Sequence, residues 1–204
     1  MICISCIVEG KGEVVALPIL IRRIRERIAP ELWVDVPQPV LTDRSKIVRQ
    51  GHIAQTGEFE RALRLAIAKL NGPGAILILL DSDDDCPAQL GPALLQEAKR
   101  LRADVPIVTI FAHREYEAWF LAAAESLRGV RGLPGNLETP SEPESIRGTK
   151  EWLTKHLPSG QKYSPTVDQA ALTAQFDLEL ALERSASFRK LYRDVESLLN
   201  QLRS

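Results

Sequence analysis

The chain has 204 residues, of which 45% are hydrophobic and 26% are charged, and its formal net charge is −1. This length is enough to bury one hydrophobic core, so we expect one main domain with an appended segment. The near-neutral charge excludes a strongly basic nucleic-acid binder and predicts weak non-specific binding by this chain alone.

The first predicted element is a strand over residues 2–8, which ends in the acidic, glycine-containing turn at residues 9–13. A helix is predicted over residues 14–28, and strand, turn and helix in this order are typical of an α/β fold. Glu9 and Glu13 are about one helical turn apart and could face one site. Alternatively, Glu13 stabilises the helix N-terminus through the dipole. The turn lacks the pattern of a phosphate loop, so ATP binding is not indicated.

A short strand near residues 32–36 and a helix from about residue 58 to 70 continue the alternation. This order predicts a parallel sheet with helices on both faces. Residues 40–56 show no clear periodicity and are expected to form a long connection near the active edge of the sheet, because long loops in compact domains are often functional.

Residues 75–85 are the most informative stretch, an aliphatic run that stops in a cluster of aspartates. Such a run predicts a strand buried on both faces, and ligands bind outside the carboxyl ends of such strands. Asp81 and Asp83 are two residues apart and are expected to point the same way. Carboxylates this close repel unless a cation neutralises them, and Mg²⁺ prefers oxygen ligands. The alternative is helix capping, for which Asp84 and Asp85 are the better candidates before a helix near Pro87.

A third strand is predicted over residues 105–112, followed by further acids. Glu115 would reach the same edge and could complete a metal site, whereas Glu117 is expected to face elsewhere. Alternatively, Glu115 lies in the first turn of a short helix that packs through residues 119–121.

The last third of the chain reads as a connection followed by helices. Residues 129–148 are rich in proline, glycine and glutamate and are predicted to be a linker or mobile lid. Helices are predicted over residues 149–157, 167–183 and 187–202, with Ser187 as an N-cap. One face of the last helix is an apolar stripe, interpreted as core: Phe188, Leu191, Tyr192, Val195, Leu198, Leu199 and Leu202.

The cysteines and the N-terminus bear on the compartment. Cys3 and Cys6 would lie on opposite faces of a strand, so with Cys86 we interpret them as small core residues in a reducing compartment. Apolar stretches stay below the roughly 18 residues of a membrane span, and the N-terminus lacks a signal peptide's basic start and cleavage site. We therefore expect a cytoplasmic protein without membrane contact.

Three motifs, in chain order, resemble a known family: VEGKGE at 8–13, LDSD at 80–83 and REYEAW at 114–119. A strand ending in glutamate, a helix and then a strand ending in Asp-x-Asp resemble the Toprim domain of topoisomerases, bacterial primases and the overcoming-lysogenization-defect nucleases. Together the motifs look like a Toprim-related bacterial family of unknown function, often encoded beside an AAA-type ATPase. The resemblance covers roughly residues 2–125 and implies a Toprim/Rossmann-like parallel sheet flanked by helices. With the elements predicted above, this gives an α/β domain over residues 1–128, a linker or lid over 129–148 and a helical segment over 149–204 packed on the same domain.

The resemblance also implies roles for particular residues. Glu9, Asp81 and Asp83 match catalytic and metal-binding acids, and Glu13 and Glu115 match further metal ligands. The implied cofactor is Mg²⁺ or Mn²⁺. Nuclease-type members also use a lysine near the scissile phosphate, for which Lys162 is the candidate, although no motif anchors it.

The implied activity is metal-dependent phosphodiester hydrolysis on nucleic acid, with DNA favoured over RNA. An AAA-type ATPase in a defence-type system is the implied partner, and the sequence predicts no oligomeric state. Two alternatives stay open: a catalytically silent Toprim-like interaction module, and a nucleotide-sugar transferase that holds manganese through Asp-x-Asp.

Overall fold

The long apolar runs form the centre of a parallel sheet in the computed structural model, which describes residues 2–54 and 56–203. The strands are β1 (Ile2–Val8), β2 (Val34–Asp35), β3 (Val40–Leu41), β4 (Val48–Arg49), β5 (His52–Ile53), β6 (Gly74–Asp81) and β7 (Ile107–Ala112). The helices are α1 (Glu13–Ile28), α2 (Arg44–Ile47), α3 (Gly57–Ile67), α4 (Pro87–Leu101), α5 (Ala118–Ala122), α6 (Thr149–His156), α7 (Ala170–Gln175), α8 (Leu178–Arg184) and α9 (Ala186–Arg203).

The main sheet has the order β2-β1-β6-β7, with β3 pairing to the far end of β1, and these pairings are all parallel. Parallel strands need covered faces, and β1 and β6 are accordingly buried along almost their whole length. The predicted α/β class, with a mostly parallel sheet flanked by helices and a helical C-terminal part, is confirmed.

Alternate side chains of β6 enter different cores, as the two-residue period of a strand requires. Leu77 and Leu79 lie in a core with α1, α5 and α9. Ile76, Ile78 and Leu80 lie in a second core with α3 and α4. The sheet therefore separates two helical layers.

The predicted connection at residues 40–56 contains β3, α2 and the antiparallel pair β4 and β5. These elements are two to four residues long, too short to produce a periodic sequence pattern. Residue 55 lies outside the described part of the chain.

The predicted helix over residues 167–183 is wrong as one element. The chain forms a π-helical turn at Pro165–Gln169, then α7, and then α8. Asp177 accepts hydrogen bonds from the N–H groups of Glu179 (2.7 Å) and Leu180 (3.1 Å), and this capping starts α8 anew. The residues on both sides of this break favour a helix, so the sequence pattern predicted one continuous helix.

The last helix packs as predicted but has a different cap. The Ser185 hydroxyl, rather than that of Ser187, accepts the hydrogen bond from the Phe188 N–H at 3.0 Å. Ser187 lies in the first turn of α9, where its N–H donates to Glu144 at 3.0 Å. The stripe from Phe188 to Leu199 is buried, apart from the partly buried Tyr192, which confirms its assignment to the core.

The segment predicted to be a linker or lid is attached to the core at several points. Leu133 and Leu137 are buried, and Glu144 accepts hydrogen bonds from the start of α9. The division into domains stays a prediction.

Cys3 and Cys6 are buried as predicted, but Cys86 is exposed, so its assignment to the core is wrong. It lies in the turn before α4, outside the apolar stripe of that helix. Within residues 2–54 and 56–203, no helix has the length and apolar character needed to cross a membrane.

Candidate functional site

The carboxyl ends of β1, β6 and β7 bring acidic residues to one edge of the sheet. Glu9 follows β1 directly, Asp81 is the last residue of β6, and Glu117 lies five residues beyond the end of β7. Glu13 opens α1 beside them. Burial raises the pKa values of Glu9 and Asp81, and the charges of the neighbouring carboxyl groups raise them further, so we call these four residues the acid cluster.

Glu9 is one of two cluster members with a buried carboxylate oxygen that lacks a hydrogen-bond partner, and Glu117 is the other. In Glu9 this oxygen is the Oε2 atom. Burial raises the pKa of Glu9 to about 7, and the charges of Glu13 and Asp83 add to this effect while Arg44 opposes it. A buried, unpaired carboxylate oxygen is costly, so this atom marks a place where a proton or a cation would stabilise the protein.

Glu13 fulfils the alternative role at the helix N-terminus. Its Oε2 atom accepts a hydrogen bond from the N–H of Gly10 at 3.0 Å, as in a capping box. Burial nevertheless raises its pKa, although that hydrogen bond and the charge of Lys150 oppose the rise. A role of Glu13 in metal binding stays a prediction.

Asp81 is fixed from the neighbouring strand end. Its Oδ1 atom accepts a hydrogen bond from the N–H of Tyr116 at 2.8 Å, and the residue is 5% exposed. Burial and the charges of Glu13, Glu9 and Glu117 raise its pKa well above the ordinary value. Asp81 therefore has a defined position at the centre of the cluster.

Glu117 is the acid whose position the sequence misjudged. It was expected to face elsewhere, but it is fully buried and its charge acts on Asp81. Its Oε1 accepts a hydrogen bond from the Tyr163 hydroxyl at 2.9 Å, and its Oε2 lies 3.5 Å from Nζ of Lys150. Burial raises the pKa of Glu117 to about 7 against the effects of Lys150 and Tyr163. The short turn after β7 directs this side chain inwards, which a strand-based alternation cannot predict.

Glu115, the acid predicted to complete the metal site, is already satisfied by α6. Its Oε1 lies 2.8 Å from Nζ of Lys150, and its Oε2 accepts hydrogen bonds from the N–H and hydroxyl of Thr149. Burial raises its pKa, but these partners outweigh burial and hold it below the ordinary value. Its ligand role stays a prediction.

The lysine beside the acids is Lys150, whereas the candidate Lys162 is exposed on a separate surface. Lys162 lines a cavity of about 520 Å³ with Arg131 and Asp168, and none of the predicted metal ligands lines it. Burial alone would lower the pKa of Lys150, but Glu117, Glu115 and Asp81 raise it above its usual value. Lys150 carries no distinctive local motif, so sequence reasoning missed it.

Arg44 is a second cation that the sequence did not identify. Its guanidinium group donates hydrogen bonds to the carbonyl oxygens of Asp81 (2.7 Å) and Ser82 (2.9 Å). The same group pairs with Asp83 at 3.1 Å and with Asp85 at 2.6 Å. The connection at residues 40–56 thus reaches the carboxyl edge of the sheet, where it was predicted to lie. The sequence signal for the role of Arg44 was the presence of an arginine within that connection.

Asp84 and Asp85 do not cap α4, which begins after Cys86 without a side-chain cap. Asp84 instead pairs with Arg114 and Arg147, and Asp85 with Arg44. These arginines come from distant parts of the chain. The aspartate side chains pair with them instead of capping the helix.

The acid cluster is not a preformed metal cage. Among the described residues, no three His, Cys, Asp or Glu side chains are grouped so that they could hold a metal ion as they stand. The donor chemistry still suits a hard cation, because the cluster consists of carboxylates, and Glu9 and Glu117 each have a buried oxygen without a hydrogen-bond partner. Binding through three of them would require side chains to draw together.

Comparison with known proteins gives one match. A family model described as a domain of unknown function (DUF4276) matches residues 8–196. No curated protein and no solved structure matches the chain. The matched range includes the whole acid cluster together with Arg44 and Lys150.

Proposed function

This chain belongs to the family of the domain of unknown function DUF4276, and we propose that it hydrolyses phosphodiester bonds of nucleic acid with the help of a divalent cation. The proposal takes up the motifs that resemble the Toprim-type nucleases. The observation that carries it is the buried, unpaired Oε2 of Glu9 within four mutually repelling carboxyl groups. A cation is the simplest neutralising partner for such a group near neutral pH.

Glu9, Glu13, Asp81 and Asp83 would hold Mg²⁺ or Mn²⁺ in this proposal. When bound, such an ion polarises a phosphoryl oxygen and lowers the pKa of coordinated water. Glu115 is a weaker candidate ligand because Lys150 and Thr149 occupy both of its oxygens.

The chain's own residues supply positioning and charge. Asp81 is held by the Tyr116 N–H and provides a fixed anionic point. In the metal-free protein, burial raises the pKa of Glu9 to about 7, so a cation that binds this carboxyl group near neutral pH would displace a proton from it. Lys150, rather than Lys162, is the lysine positioned to act near the phosphate, and Glu115 and Glu117 orient its ammonium group.

A second candidate function is a catalytically silent module that acts through a partner. Arg44 supports it, because this internal cation already neutralises Asp83 and Asp85 without a metal. The AAA-type ATPase partner and the preference for DNA are also proposals. A nucleotide-sugar transferase is less well supported, because it would not need Glu9 and Glu13 at the end of the first strand.

The test is calorimetric titration of Mg²⁺ and Mn²⁺ into the wild type, Glu9→Gln and Asp81→Asn, with cleavage assays on plasmid and single-stranded DNA and RNA. Asp104→Asn is the control, since Asp104 is an exposed aspartate whose carboxylate pairs with Arg102. We expect saturable binding and metal-dependent cleavage that both site variants lose and the control retains.

Two other outcomes decide against the nuclease. Binding without cleavage of any substrate would favour the silent module. Absence of binding would leave the acids with structural roles only.

Asp81→Asn should keep or slightly raise the free energy of unfolding in chelator. The amide oxygen can still accept the hydrogen bond from the Tyr116 N–H, while like-charge repulsion among the carboxyl groups falls.

A further inference from the structure

We propose that Arg114 and Arg147 form a phosphate-binding site beside the acid cluster, that the carboxylate of Asp84 occupies it in the free protein, and that its ligand is the sugar-phosphate backbone of the nucleic acid. This inference rests on the proposed function for its choice of substrate. The site itself is defined by its own contacts.

Asp84 is bound as a phosphate would be. Nη2 of Arg147 lies 2.9 Å from Oδ1 of Asp84, and Nη1 of Arg147 donates to Oδ2 at 3.2 Å. Nη1 of Arg114 contacts the same Oδ1 atom. Two guanidinium groups that converge on one two-oxygen anion have the geometry by which arginine recognises carboxylate or phosphate.

Arg114 is held in place by strained backbone. Its φ is 66° and that of Asp83 is 50°, values that are unusual for residues other than glycine. The Arg114 N–H donates to the Ser82 hydroxyl at 3.0 Å, and its carbonyl accepts from the N–H of Asp83 at 3.0 Å. Such strain persists where the surroundings impose it and is common at ligand sites.

The arginine pair also has unused capacity. Nε of Arg114 is buried without a hydrogen-bond partner, while its Nη1 atom donates to the carbonyl oxygen of Asp83 at 3.1 Å as well as to Asp84. A phosphate presents more acceptor oxygens than a carboxylate. The Asp84 side chain is 66% exposed and that of Arg147 is 71% exposed, and ion pairs this exposed contribute little to stability. An incoming phosphate can therefore displace Asp84 at little cost.

The cavity at this point suits one phosphate group and adjoins the proposed catalytic acids. Its volume is about 200 Å³, and its lining includes Asp83 and Glu115 as well as the two arginines. This is below the range of about 300–1,000 Å³ that is typical of sites enclosing a whole small molecule. A backbone phosphate held here would position a neighbouring phosphodiester at the acid cluster.

The test measures nucleic-acid binding without divalent cations, so that metal-dependent cleavage does not occur. A fluorescein-labelled oligonucleotide, single-stranded or duplex, is titrated in EDTA, and its anisotropy gives Kd over a range of salt concentrations. Arg114→Gln and Arg147→Gln should each lower the slope of log K against log salt by about 0.7–0.9 and weaken binding about fivefold at ~0.1 M salt. Asp84→Asn should bind several-fold more tightly, because it removes the competing anion.

Arg102→Gln is the matched control. Its guanidinium makes a comparable two-point pair with Asp104, at 2.8 and 2.7 Å, just before β7 and therefore at the opposite edge of the sheet. It should leave Kd and the salt slope unchanged. Thermal melting confirms that each variant is folded.

Several results would overturn the inference. They are an Asp84→Asn variant that binds no more tightly than wild type, arginine variants that match Arg102→Gln, or a protein that binds inorganic phosphate in a calorimetric titration but does not bind the oligonucleotide. The last result would assign the site to free phosphate. Loss of cleavage with this binding pattern intact would instead count only against the proposed nuclease.

Discussion

The hydroxyl of Tyr163 donates a hydrogen bond to Oε1 of Glu117 over 2.9 Å, and both residues are buried. The bond connects the loop before the π-helical turn to Glu117, a member of the acid cluster. Tyr163 thereby stabilises the ionised form of a carboxyl group whose pKa burial has raised to about 7. One contact therefore holds the loop in place and limits the rise in the pKa of Glu117 that burial causes.

Tyr163→Phe should lower the free energy of unfolding by about 1–3 kcal/mol at pH 8, because it leaves a buried carboxylate oxygen without its donor. The pKa of Glu117 should rise further. Urea denaturation measures the first effect, and carboxyl carbon NMR titration measures the second. Tyr192→Phe, on the partly buried face of α9, is the control and should change neither; equal effects in the two variants would contradict the assigned role.

Stability in chelator should fall as the pH rises from about 5 to 8. The pKa values of Glu9 and Glu117 are raised from 4.5 to about 7, so the folded state holds more protons than the unfolded state in this window. The stability is therefore complete below about pH 4.5 and is lost as the pH passes through 7. Since a pKa change of 1 corresponds to about 1.4 kcal/mol, each group costs at most about 3 kcal/mol at pH 8.

Denaturation curves at half-unit pH intervals, with and without Mg²⁺, measure this dependence. Glu9→Gln and Glu117→Gln should each flatten the slope, and Mg²⁺ should restore stability at pH 8 in the wild type. Glu97→Gln is the control, because Glu97 is paired with Arg100 and its pKa is lowered, so it does not titrate in this window. A free energy of unfolding that stays constant or rises between about pH 5 and 8 would show that burial and charge repulsion do not destabilise the acid cluster.

Arg44→Gln should have opposite effects on stability and cation binding. Without metal, the protein loses a cation that pairs with Asp83 and Asp85 and donates to two carbonyl groups, and the free energy of unfolding should fall by about 1–3 kcal/mol. With one positive charge fewer, the cluster should bind Mg²⁺ several-fold more tightly. Calorimetry and urea denaturation test both effects.

Arg49→Gln is the control for this prediction, since Arg49 belongs to the same connection and is exposed. It should change neither quantity appreciably. Weaker Mg²⁺ binding in Arg44→Gln would mean that Arg44 organises the carboxylates for the metal rather than replacing it.

Local sequence patterns were sufficient for the sheet and for the acids that end its strands. The runs before Glu9 and Asp81 are long and uninterrupted, and parallel pairing forces their carboxyl ends to one edge. Arg44 and Lys150 could not be placed in this way, because their contacts with Asp81 and Glu115 span 37 and 35 residues and depend on how distant segments pack. The inward turn of Glu117 depends on a loop of a few residues, which has no periodicity to analyse.

Gly12→Ala should disturb the site, because the backbone at residue 12, next to Glu13, lies close to the π-helical turn. A Cβ atom at residue 12 would lie 1.9 Å from Oε1 of Gln169 and 2.7 Å from the carbonyl oxygen of Pro165. The φ of Gly12 is −66°, so alanine is not strained in its own backbone, and the clash with the π-helical turn is the whole effect. Forcing a methyl group into such a contact typically costs about 1–3 kcal/mol.

The displaced turn carries Gln169, whose side chain lowers the pKa of Glu13 against the larger effect of burial. Gly12→Ala should therefore raise the pKa of Glu13 and weaken Mg²⁺ binding, measured by NMR titration and calorimetry. Gly135→Ala, where an added Cβ would meet no atom within 4 Å, should leave both quantities and the melting temperature unchanged. A Gly12→Ala variant as stable as Gly135→Ala would mean that the π-helical turn yields freely, and Gln169 would then have no part in positioning Glu13.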